Sequence, residues 1–290
     1  MSRLSVAQAL DHATRTLSRA GIERPRFEAR LLLGHALGAR QEDVIGYPER
    51  FLDESAAREF DALCCQRATR KPMAQILGKR EFWGLTFRVT KDVLDPRPDS
   101  ETLVEAALSC FPGKESRLRA LDLGTGSGCL LLSFLHERRQ SSGLGIDLSP
   151  AAVSLAQENA QNLGLAGCAT FRSGNWAEGV AESFDLIFSN PPYIRSGDIQ
   201  TLEPEISGHE PHLALNGGTD GFESYRLLIP QAACCLAPEG RLILEIGAGQ
   251  KNTVAGLLED AGFDLRAVLP DLSGIERCLV AGLNTPRQKA

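Results

Sequence analysis

The stretch that most constrains this chain is an apolar run that ends in two prolines. Residues 184–189 read Phe-Asp-Leu-Ile-Phe-Ser, a pattern typical of a buried β-strand. The prolines of the following Asn190-Pro191-Pro192-Tyr193 must end that strand, because proline has a fixed φ and no backbone N–H. The Asn190 amide, the proline carbonyls and the Tyr193 ring are therefore predicted at the carboxyl end of a strand, where open α/β sheets bind ligands.

Strands and helices alternate from about residue 119 onward. The predicted strands cover 119–123, 144–147, 169–172, 185–188, 242–246, 263–269 and 277–283, with helices at 129–136, 150–162, 225–236 and 252–261. Repeated strand–helix units predict a parallel, doubly wound sheet. Only the turn Asp271-Leu272-Ser273-Gly274 joins the last two strands, so these two must pair antiparallel.

The N-terminal part of the chain is predicted to be helical. Apolar residues recur at helical spacing after Ser5, a suitable N-cap, and Gly21 and Gly38 are predicted to end the first two helices. A third helix is predicted at 53–69, and a β-hairpin follows with Gly84 at its bend. The chain thus divides into a helical domain at 1–72, interpreted as a substrate-docking module, a hairpin linker at 73–95 and the sheet domain at 96–290.

Net charge, apolar segments and cysteine spacing argue against several classes of protein, although a local basic patch stays possible. The net charge of −6 over 290 residues argues against an electrostatic nucleic-acid binder. The charged residues Arg3, Asp11 and Arg15 do not fit a signal peptide, and there is no apolar run of about 18 residues, so we expect a cytoplasmic protein with no membrane partner. The eight cysteines contain no C-x-x-C pair and are predicted to be core residues in a reducing compartment, with no metal site.

A glycine-rich turn and two loop segments predict a nucleotide site. Gly124-Thr125-Gly126-Ser127-Gly128 follows the first strand and opens a helix, so its bare N–H groups can approach a ligand. Asp147 ends the second strand, where a carboxylate can accept both hydroxyls of a ribose, while Ser149-Pro150 already supply the start of the next helix. After the third strand, Trp176 can stack on adenine and Asn175 can bond its exocyclic nitrogen.

Arg97 lies between two prolines that stiffen the loop before a helix. Asp99 or Ser100 can cap that helix. The segment fits a simple domain linker, and it equally fits a rigid loop that holds Arg97 at the wall of a site.

Together these residues resemble a known family. Asn190-Pro191-Pro192-Tyr193 after an apolar strand, with the glycine turn and Asp147, resembles S-adenosylmethionine-dependent methyltransferases that act on a planar nitrogen. Further segments make nearly the whole chain similar to the peptide chain release factor glutamine methyltransferases, the PrmC/HemK family. These segments are Gln75-Ile76-Leu77-Gly78, Glu81-Phe82-Trp83-Gly84-Leu85, Pro96-Arg97-Pro98 with Glu101, Glu210-Pro211 with Ala214-Leu215, Gly217-Gly218, Asp220-Gly221 and Glu245-Ile246-Gly247.

The resemblance implies a fold and an activity. The fold is a Rossmann-like, seven-stranded class I methyltransferase sheet with an antiparallel last strand, joined by a β-hairpin to a small helical domain. The activity is methyl transfer from S-adenosyl-L-methionine to the side-chain amide nitrogen of the glutamine in the Gly-Gly-Gln motif of release factors, without direct nucleic-acid binding. Asn175 departs from the family, which often has an acidic residue there. Asp95 also departs, and we expect it at a loop edge with little consequence.

The roles of the site residues follow as hypotheses. Asn190 and the Pro191 carbonyl each accept one N–H of the substrate amide, Tyr193 packs on that amide, and Pro192 and Arg97 complete the substrate site. The predicted cofactor site contains Gly124, Thr125, Gly126, Ser127, Gly128, Asp147, Asn175, Trp176 and Asn190. No catalytic histidine is expected, and His209 and His212 are predicted to lie on a surface loop.

Other functions remain open at this point. A DNA adenine-N6 methyltransferase or a glutamine methyltransferase of a ribosomal protein would share the Asn-Pro-Pro-Tyr segment. A non-catalytic nucleotide-binding module would keep the glycine turn. An NAD oxidoreductase is disfavoured, because the turn has G-x-G-x-G spacing and not the G-x-G-x-x-G of a dinucleotide site.

Overall fold

The structure, a computed structural model, describes residues 4–284, which fall into two compact units. Of these residues, the first unit contains 4–78 and Glu203–His209, and the second contains Lys79–Leu202 and 210–284. The predicted domain boundaries at 72 and 95 stay a prediction. Within the described part of the chain, no helix is long and apolar enough to cross a membrane.

The helices run over Val6–Arg19 (α1), Pro25–Leu37 (α2), Gln41–Gly46 (α3), Glu54–Ala68 (α4), Met73–Leu77 (α5), Glu101–Cys110 (α6), Cys129–Glu137 (α7), Pro150–Asn162 (α8), Pro204–His209 (α9), His212–Leu215 (α10), Glu223–Cys235 (α11) and Lys251–Asp260 (α12). The strands run over Lys79–Phe82 (β1), Leu85–Arg88 (β2), Arg119–Leu123 (β3), Ser142–Asp147 (β4), Ala169–Ser173 (β5), Phe184–Ser189 (β6), Leu236–Glu245 (β7), Phe263–Pro270 (β8) and Glu276–Leu283 (β9). Short 3₁₀ turns cover Pro98–Ser100 and Ile199–Thr201.

The first unit is a small helical bundle with its own apolar core. Ser5 caps α1 as predicted, because its Oγ accepts from the Gln8 N–H while the Gln8 side chain accepts from the Ser5 N–H. Gly38 ends α2 in the left-handed conformation, as predicted. Helices α3, α5, α9 and α10 were not predicted, since each is too short to show a helical period.

Helix α9 belongs to the first unit although it lies far along the chain. Arg67 of α4, only 5% exposed, bonds Glu28 of α2 and Glu205 of α9. Arg70 bonds the second oxygen of Glu205 at 2.6 Å. The His209 ring lies 3.1 Å from the Thr69 carbonyl oxygen. These polar contacts join α9 to the helical bundle.

The second unit is built on the predicted seven-stranded sheet, in the order β5-β4-β3-β6-β7-β9-β8. The pairs from β5 to β7 are parallel, whereas β9 is antiparallel to both β7 and β8, which confirms the predicted fold class. Helices α6, α7 and α8 pack in one core cluster and α11 and α12 in the other. Strand β7 begins at Leu236, earlier than the predicted 242.

The predicted hairpin is present and packs as part of the second unit. Its buried Phe82 and Phe87 join the core cluster of α6, α7 and α8. Asn159 of α8 accepts from the Arg88 N–H and donates to the Arg88 carbonyl. Gly84 at the bend has φ +67°, a conformation that favours glycine.

Candidate active site

A cavity of about 430 Å³ opens in the second unit beside the carboxyl ends of β3, β4 and β6. It brings together most of the residues that the sequence predicts for a site: Gly124, Thr125, Gly126, Ser127, Asp147, Asn175, Trp176, Asn190, Pro192 and Arg97. Among the described residues that form its wall, Gly128, Pro191 and Tyr193 do not appear. Residues 124–127 of the glycine turn therefore face the same cavity as Asn190 and Pro192 of the Asn-Pro-Pro-Tyr segment.

The glycine turn is shaped by close packing. Gly124 has φ +76°, and a Cβ there would lie 3.3 Å from the Trp176 ring, so this position favours glycine. Gly128 has φ +81° and precedes α7, where a Cβ would lie 3.1 Å from Leu132 and 3.3 Å from Ala156. Gly124 thus lets Trp176 approach the cavity, whereas Gly128 lets helices pack behind it.

Asp147 is held at the cavity wall by backbone donors. Its Oδ2 accepts from the Gly126 N–H at 2.8 Å and its Oδ1 from the Ser149 N–H at 2.9 Å. Burial raises the pKa of this carboxyl, although these hydrogen bonds act in the opposite direction. Ser149 caps α8 through the Ala152 N–H, as predicted. Each carboxylate oxygen keeps a lone pair that can accept a ligand hydroxyl.

Asp122, at the end of β3, is a buried carboxyl beneath the glycine turn that sequence reasoning missed. The Thr125 hydroxyl donates to its Oδ2 at 2.7 Å, while its Oδ1 has no hydrogen-bond partner among the described residues. Burial raises the pKa of Asp122 to about 7. The sequence signal was the Asp one residue before the first Leu-Gly of the turn.

Three glycines make room for the segment from Asn190 to Tyr193. A Cβ on Gly217 would lie 2.7 Å from the Tyr193 Cα, and one on Gly221 would lie 2.7 Å from the Tyr193 carbonyl oxygen. A Cβ on Gly247 would lie 3.0 Å from the Tyr193 ring. All three belong to segments that carried the family resemblance, and the packing gives them a physical reason.

A hydrogen-bond network lies behind this segment. Asn190 Nδ2 donates to Ser100 Oγ at 3.2 Å, and the Ser100 hydroxyl donates to Glu245 Oε2. The Tyr193 hydroxyl donates to Glu245 Oε1 at 3.3 Å, and the Tyr225 hydroxyl donates to the Glu245 carbonyl at 2.9 Å. The predicted packing of Tyr193 on a substrate amide stays a prediction. Sequence reasoning missed Ser100 and Glu245 as site residues because their contacts join distant parts of the chain.

Of Asp99 and Ser100, the two predicted caps of α6, Ser100 takes the N-cap position but does not make the predicted side-chain bond. Ser100 is the N-cap residue of α6, yet its side chain makes no cap hydrogen bond, because its hydroxyl is directed to Glu245 instead. Only 2% of Glu245 is exposed, and burial raises the pKa of this carboxyl to about 7. A polar link therefore runs from a fully buried carboxyl to the cavity wall.

Arg97 lies on the cavity wall and is held from behind. Its guanidinium donates to Glu210, whose side chain is 1% exposed and whose pKa burial raises to about 7. The expectation that Asp95 lies at a loop edge is wrong, because Asp95 is 6% exposed and lies 3.6 Å from the Arg80 guanidinium. Burial raises the pKa of Asp95, against the opposing charges of Arg80 and Arg97.

Comparisons with known proteins agree with this architecture. The PrmC N-terminal domain family matches residues 8–78, and a methyltransferase domain family matches residues 114–253. Two solved structures share the fold: a 16S rRNA N2 G1207 methyltransferase of T. Thermophilus and a methyltransferase of Pyrococcus furiosus. The first has a TM-score of 0.52 at 22% identity and covers 71% of this chain and 50% of that chain. The second has a TM-score of 0.51 at 18% identity, and the match covers 70% of this chain and 90% of that chain.

Curated relatives extend the similarity over nearly the whole chain. A release factor glutamine methyltransferase of Rhodospirillum rubrum is 48% identical, covering 97% of this chain and 86% of the relative. A release factor glutamine methyltransferase of Cereibacter sphaeroides is 46% identical, and the match covers 97% of this chain and 99% of the relative. Identity at this level across both units shows common descent of the whole chain, and the protein therefore belongs to the release factor glutamine methyltransferase family.

Proposed function

We propose that this protein transfers a methyl group from S-adenosyl-L-methionine to the side-chain amide nitrogen of the glutamine in the Gly-Gly-Gln motif of peptide chain release factors, in the cytoplasm. Relatives with high identity carry the name of this activity. The single observation that carries the proposal for the site is the shared cavity. Its wall contains both the glycine turn with Asp147 and the Asn190 amide with Pro192.

The residues at one end of the cavity fit S-adenosyl-L-methionine. A cavity of about 430 Å³ has the size of a small-molecule site. Asp147 offers carboxylate oxygens for ribose hydroxyls, Trp176 offers a ring for adenine, and Asn175 offers an amide for its exocyclic nitrogen. The prediction that the glycine turn presents bare N–H groups is wrong, because those of Gly124 and Thr125 bond the Ile146 carbonyl and that of Gly128 bonds the Thr125 carbonyl. The Gly126 N–H bonds Asp147, so the turn allows a ligand to approach the backbone closely and orients the Asp147 carboxylate. When bound, the cofactor supplies an electrophilic methyl group on a positively charged sulfur.

The residues at the other end fit a carboxamide. The nitrogen of an amide is a poor nucleophile because its lone pair is delocalised into the carbonyl. Asn190 Oδ1 and the carbonyl between Pro191 and Pro192 each accept one N–H of the substrate amide, which fixes the nitrogen in one orientation. Such positioning supplies on the order of 7–11 kcal/mol of the barrier. Acceptors that are already oriented also stabilise positive charge as it develops on the nitrogen.

No strong general base is required at this site. The substrate N–H becomes acidic only after the nitrogen has formed its new bond, so its proton can pass from the Asn190 acceptor to solvent. His209 takes no part in this scheme, because its ring lies against the Thr69 carbonyl in the first unit. His212 is exposed at the start of α10.

The test is labelled methyl transfer to a release factor, with the glutamine of its Gly-Gly-Gln motif replaced as the control. Asn190→Ala should abolish turnover, because the amide nitrogen loses one of its two acceptors, while calorimetry should still detect cofactor binding. Duplex DNA and ribosomal proteins serve as alternative substrates in the same assay. Label in either of those substrates, and none in the release factor, would contradict the proposal.

A further inference from the structure

The network behind Asn190 contains a buried carboxyl that the proposed mechanism does not use. Glu245 ends β7, next to β6, which leads directly into Asn190. Its side chain meets two hydroxyl donors, Ser100 at Oε2 and Tyr193 at Oε1. A carboxylate that is 2% exposed is unfavourable to bury, so its retention at this point needs a reason other than packing.

The order of donors and acceptors in this network determines which end of the Asn190 carboxamide faces Ser100. A serine hydroxyl has a single proton, and Ser100 gives that proton to Glu245 Oε2. Ser100 Oγ can then act only as an acceptor toward Asn190, so it receives the Asn190 Nδ2–H at 3.2 Å. A carboxamide whose nitrogen is committed to Ser100 must direct its oxygen elsewhere. Since Asn190 lines the cavity, its oxygen remains as the acceptor for a ligand there.

We propose that Glu245 and Ser100 are positioning residues that set which end of the Asn190 carboxamide faces the substrate. The inference rests on the proposed function, because it concerns the orientation that a substrate NH₂ group requires. The Glu245 carboxylate orders the Ser100 proton, and Ser100 in turn orders the Asn190 amide. With the opposite orientation, the Asn190 NH₂ would face the substrate NH₂, and neither group could accept a hydrogen bond.

Protonation of Glu245 removes this control. Glu245 would then donate to Ser100 Oγ, and the Ser100 proton would need a new acceptor, for which Asn190 Oδ1 is the adjacent group. The charged and titratable groups around Glu245 are Tyr193 after β6, Asp99 before α6, Cys129 in α7, Tyr225 in α11, and Arg277 and Cys278 in β9. Burial is the main cause that raises the pKa of Glu245 to about 7, while Ser100, Arg277 and Tyr193 oppose the shift. The productive orientation is therefore lost as the pH falls through this value.

Kinetics against pH test the proposal in four proteins: the wild type, Glu245→Gln, Ser100→Ala and Ser133→Ala. Ser133, in α7, is a matched control, because it is another buried serine of the second unit and its hydroxyl has no hydrogen-bond partner within the described part of the chain. The assay measures kcat and KM for methyl transfer to a release factor between about pH 5.5 and 9. Thermal melts by circular dichroism verify that each variant is folded.

The wild type and Ser133→Ala should show kcat rising with pH, with a midpoint near the pKa of Glu245. Ser100→Ala should lower kcat by about 10- to 100-fold, with little change in KM, because Asn190 loses its fixed orientation. In Glu245→Gln, kcat should no longer fall at acidic pH, because a glutamine does not titrate. Part of the activity should remain, because the glutamine oxygen can still accept from the Ser100 hydroxyl. Asp122 and Glu210 also have pKa values raised to about 7, so the comparison with Glu245→Gln is required. An unchanged acidic limb in Glu245→Gln, or an unchanged kcat in Ser100→Ala, would overturn the proposal.

A second measurement separates this proposal from the proposed function. The ¹⁵N–¹H₂ resonance of the Asn190 side chain, assigned by its absence in Asn190→Ala, should shift with pH at the midpoint of Glu245. That shift should vanish in Glu245→Gln and Ser100→Ala and persist in Ser133→Ala. If the wild type does not methylate release factor but shows this shift, the proposed function fails and the network stands. If it methylates release factor without the shift, the network fails and the function stands.

Discussion

Carboxylates that lie partly or fully out of solvent have pKa values shifted in opposite directions in the two units of this protein. In the helical unit, Glu205 meets the guanidinium groups of Arg67 and Arg70. Burial acts to raise the pKa of Glu205, but hydrogen bonds from the two arginines outweigh it, and the pKa is lowered. In the sheet unit, burial prevails at Asp122, Glu210 and Glu245, whose pKa values rise to about 7.

The first kind of carboxylate links helices to one another, whereas the second kind lies at the candidate active site. The arginine–glutamate cluster joins α2, α4 and α9, and the lowered pKa of Glu205 favours its anionic form. The three carboxyls with raised pKa values stand under or beside the cavity and contact Thr125, Arg97 and Ser100 at its wall. Strongly perturbed ionisable groups cluster at functional sites because the surroundings keep them in a form that folding alone would not favour.

The largest expected effect is the loss of the paired cluster. Arg67→Ala should destabilise the helical unit by about 3–5 kcal/mol, because Glu28 and Glu205 would lose their main buried partner. Unfolding in urea should be followed by circular dichroism and by tryptophan fluorescence. Trp83 and Trp176 both lie in the second unit, so an early loss of ellipticity without a fluorescence change would localise the effect. A loss below about 1 kcal/mol would show that the cluster does not hold the bundle.

A substitution of Glu245 in the sheet unit should raise the free energy of unfolding, whereas Arg67→Ala lowers it. The folded state raises the pKa of Glu245 from 4.5 to about 7, so it favours the protonated form. This contribution to stability is fully present below pH 4.5 and is lost as the pH rises through about 7. Glu245→Gln, which cannot ionise, should therefore gain about 1–3 kcal/mol at pH 8 and much less at pH 5.

The comparison variant is Glu205→Gln, which removes a carboxylate with a lowered pKa and should destabilise the protein at pH 8. Urea midpoints of both variants at the two pH values measure the contrast. If both substitutions shift stability in the same direction at pH 8, the distinction between the two groups of carboxylates fails.

The sequence predicts those features that local patterns determine. The strands of the sheet, the Ser5 cap and the left-handed Gly38 follow from periodicity and backbone preference. Part of the cavity wall follows from the rule that ligands bind at the carboxyl ends of strands, which places Asp147 and Asn190 together.

The features that could not be predicted depend on contacts between distant residues. Ser100 has the residue type and the position of a helix N-cap, but its hydroxyl donates to Glu245, which lies far along the chain. Asp95 has the appearance of a loop residue until Arg80 is found beside it. Helix α9 lies in a segment of the sheet domain, yet Glu205 joins it to Arg67 of the helical unit. None of these pairings leaves a periodic signal in the sequence.

Asp147 shares a feature with each of the two groups of carboxylates compared above. Burial raises its pKa, as it does for Glu245, yet two backbone N–H groups donate to its carboxylate, much as the arginines do for Glu205. Asp147→Ala should weaken S-adenosyl-L-methionine binding by about 1.5 kcal/mol, or roughly tenfold, through the loss of charged hydrogen bonds to the ribose. Isothermal calorimetry measures the change. Asp92→Ala, at the same cavity wall but outside the assigned ribose contacts, is the matched control and should bind as the wild type does. Equal affinity of Asp147→Ala and the wild type would remove Asp147 from the cofactor site.

The smallest expected effect concerns an ion pair of the helical unit that is not buried. Arg58 and Glu54 lie one turn apart on α4, with side chains that are 73% and 82% exposed. Solvent screens such a pair, so Arg58→Ala should change the free energy of unfolding by less than about 0.5 kcal/mol, and salt should abolish the change. Urea unfolding at low and high salt, beside Arg67→Ala on the same helix, measures this directly. A loss comparable to that of Arg67→Ala would mean that charge on α4, and not burial of its partners, stabilises the bundle, and the contrast between the two units would then need another cause.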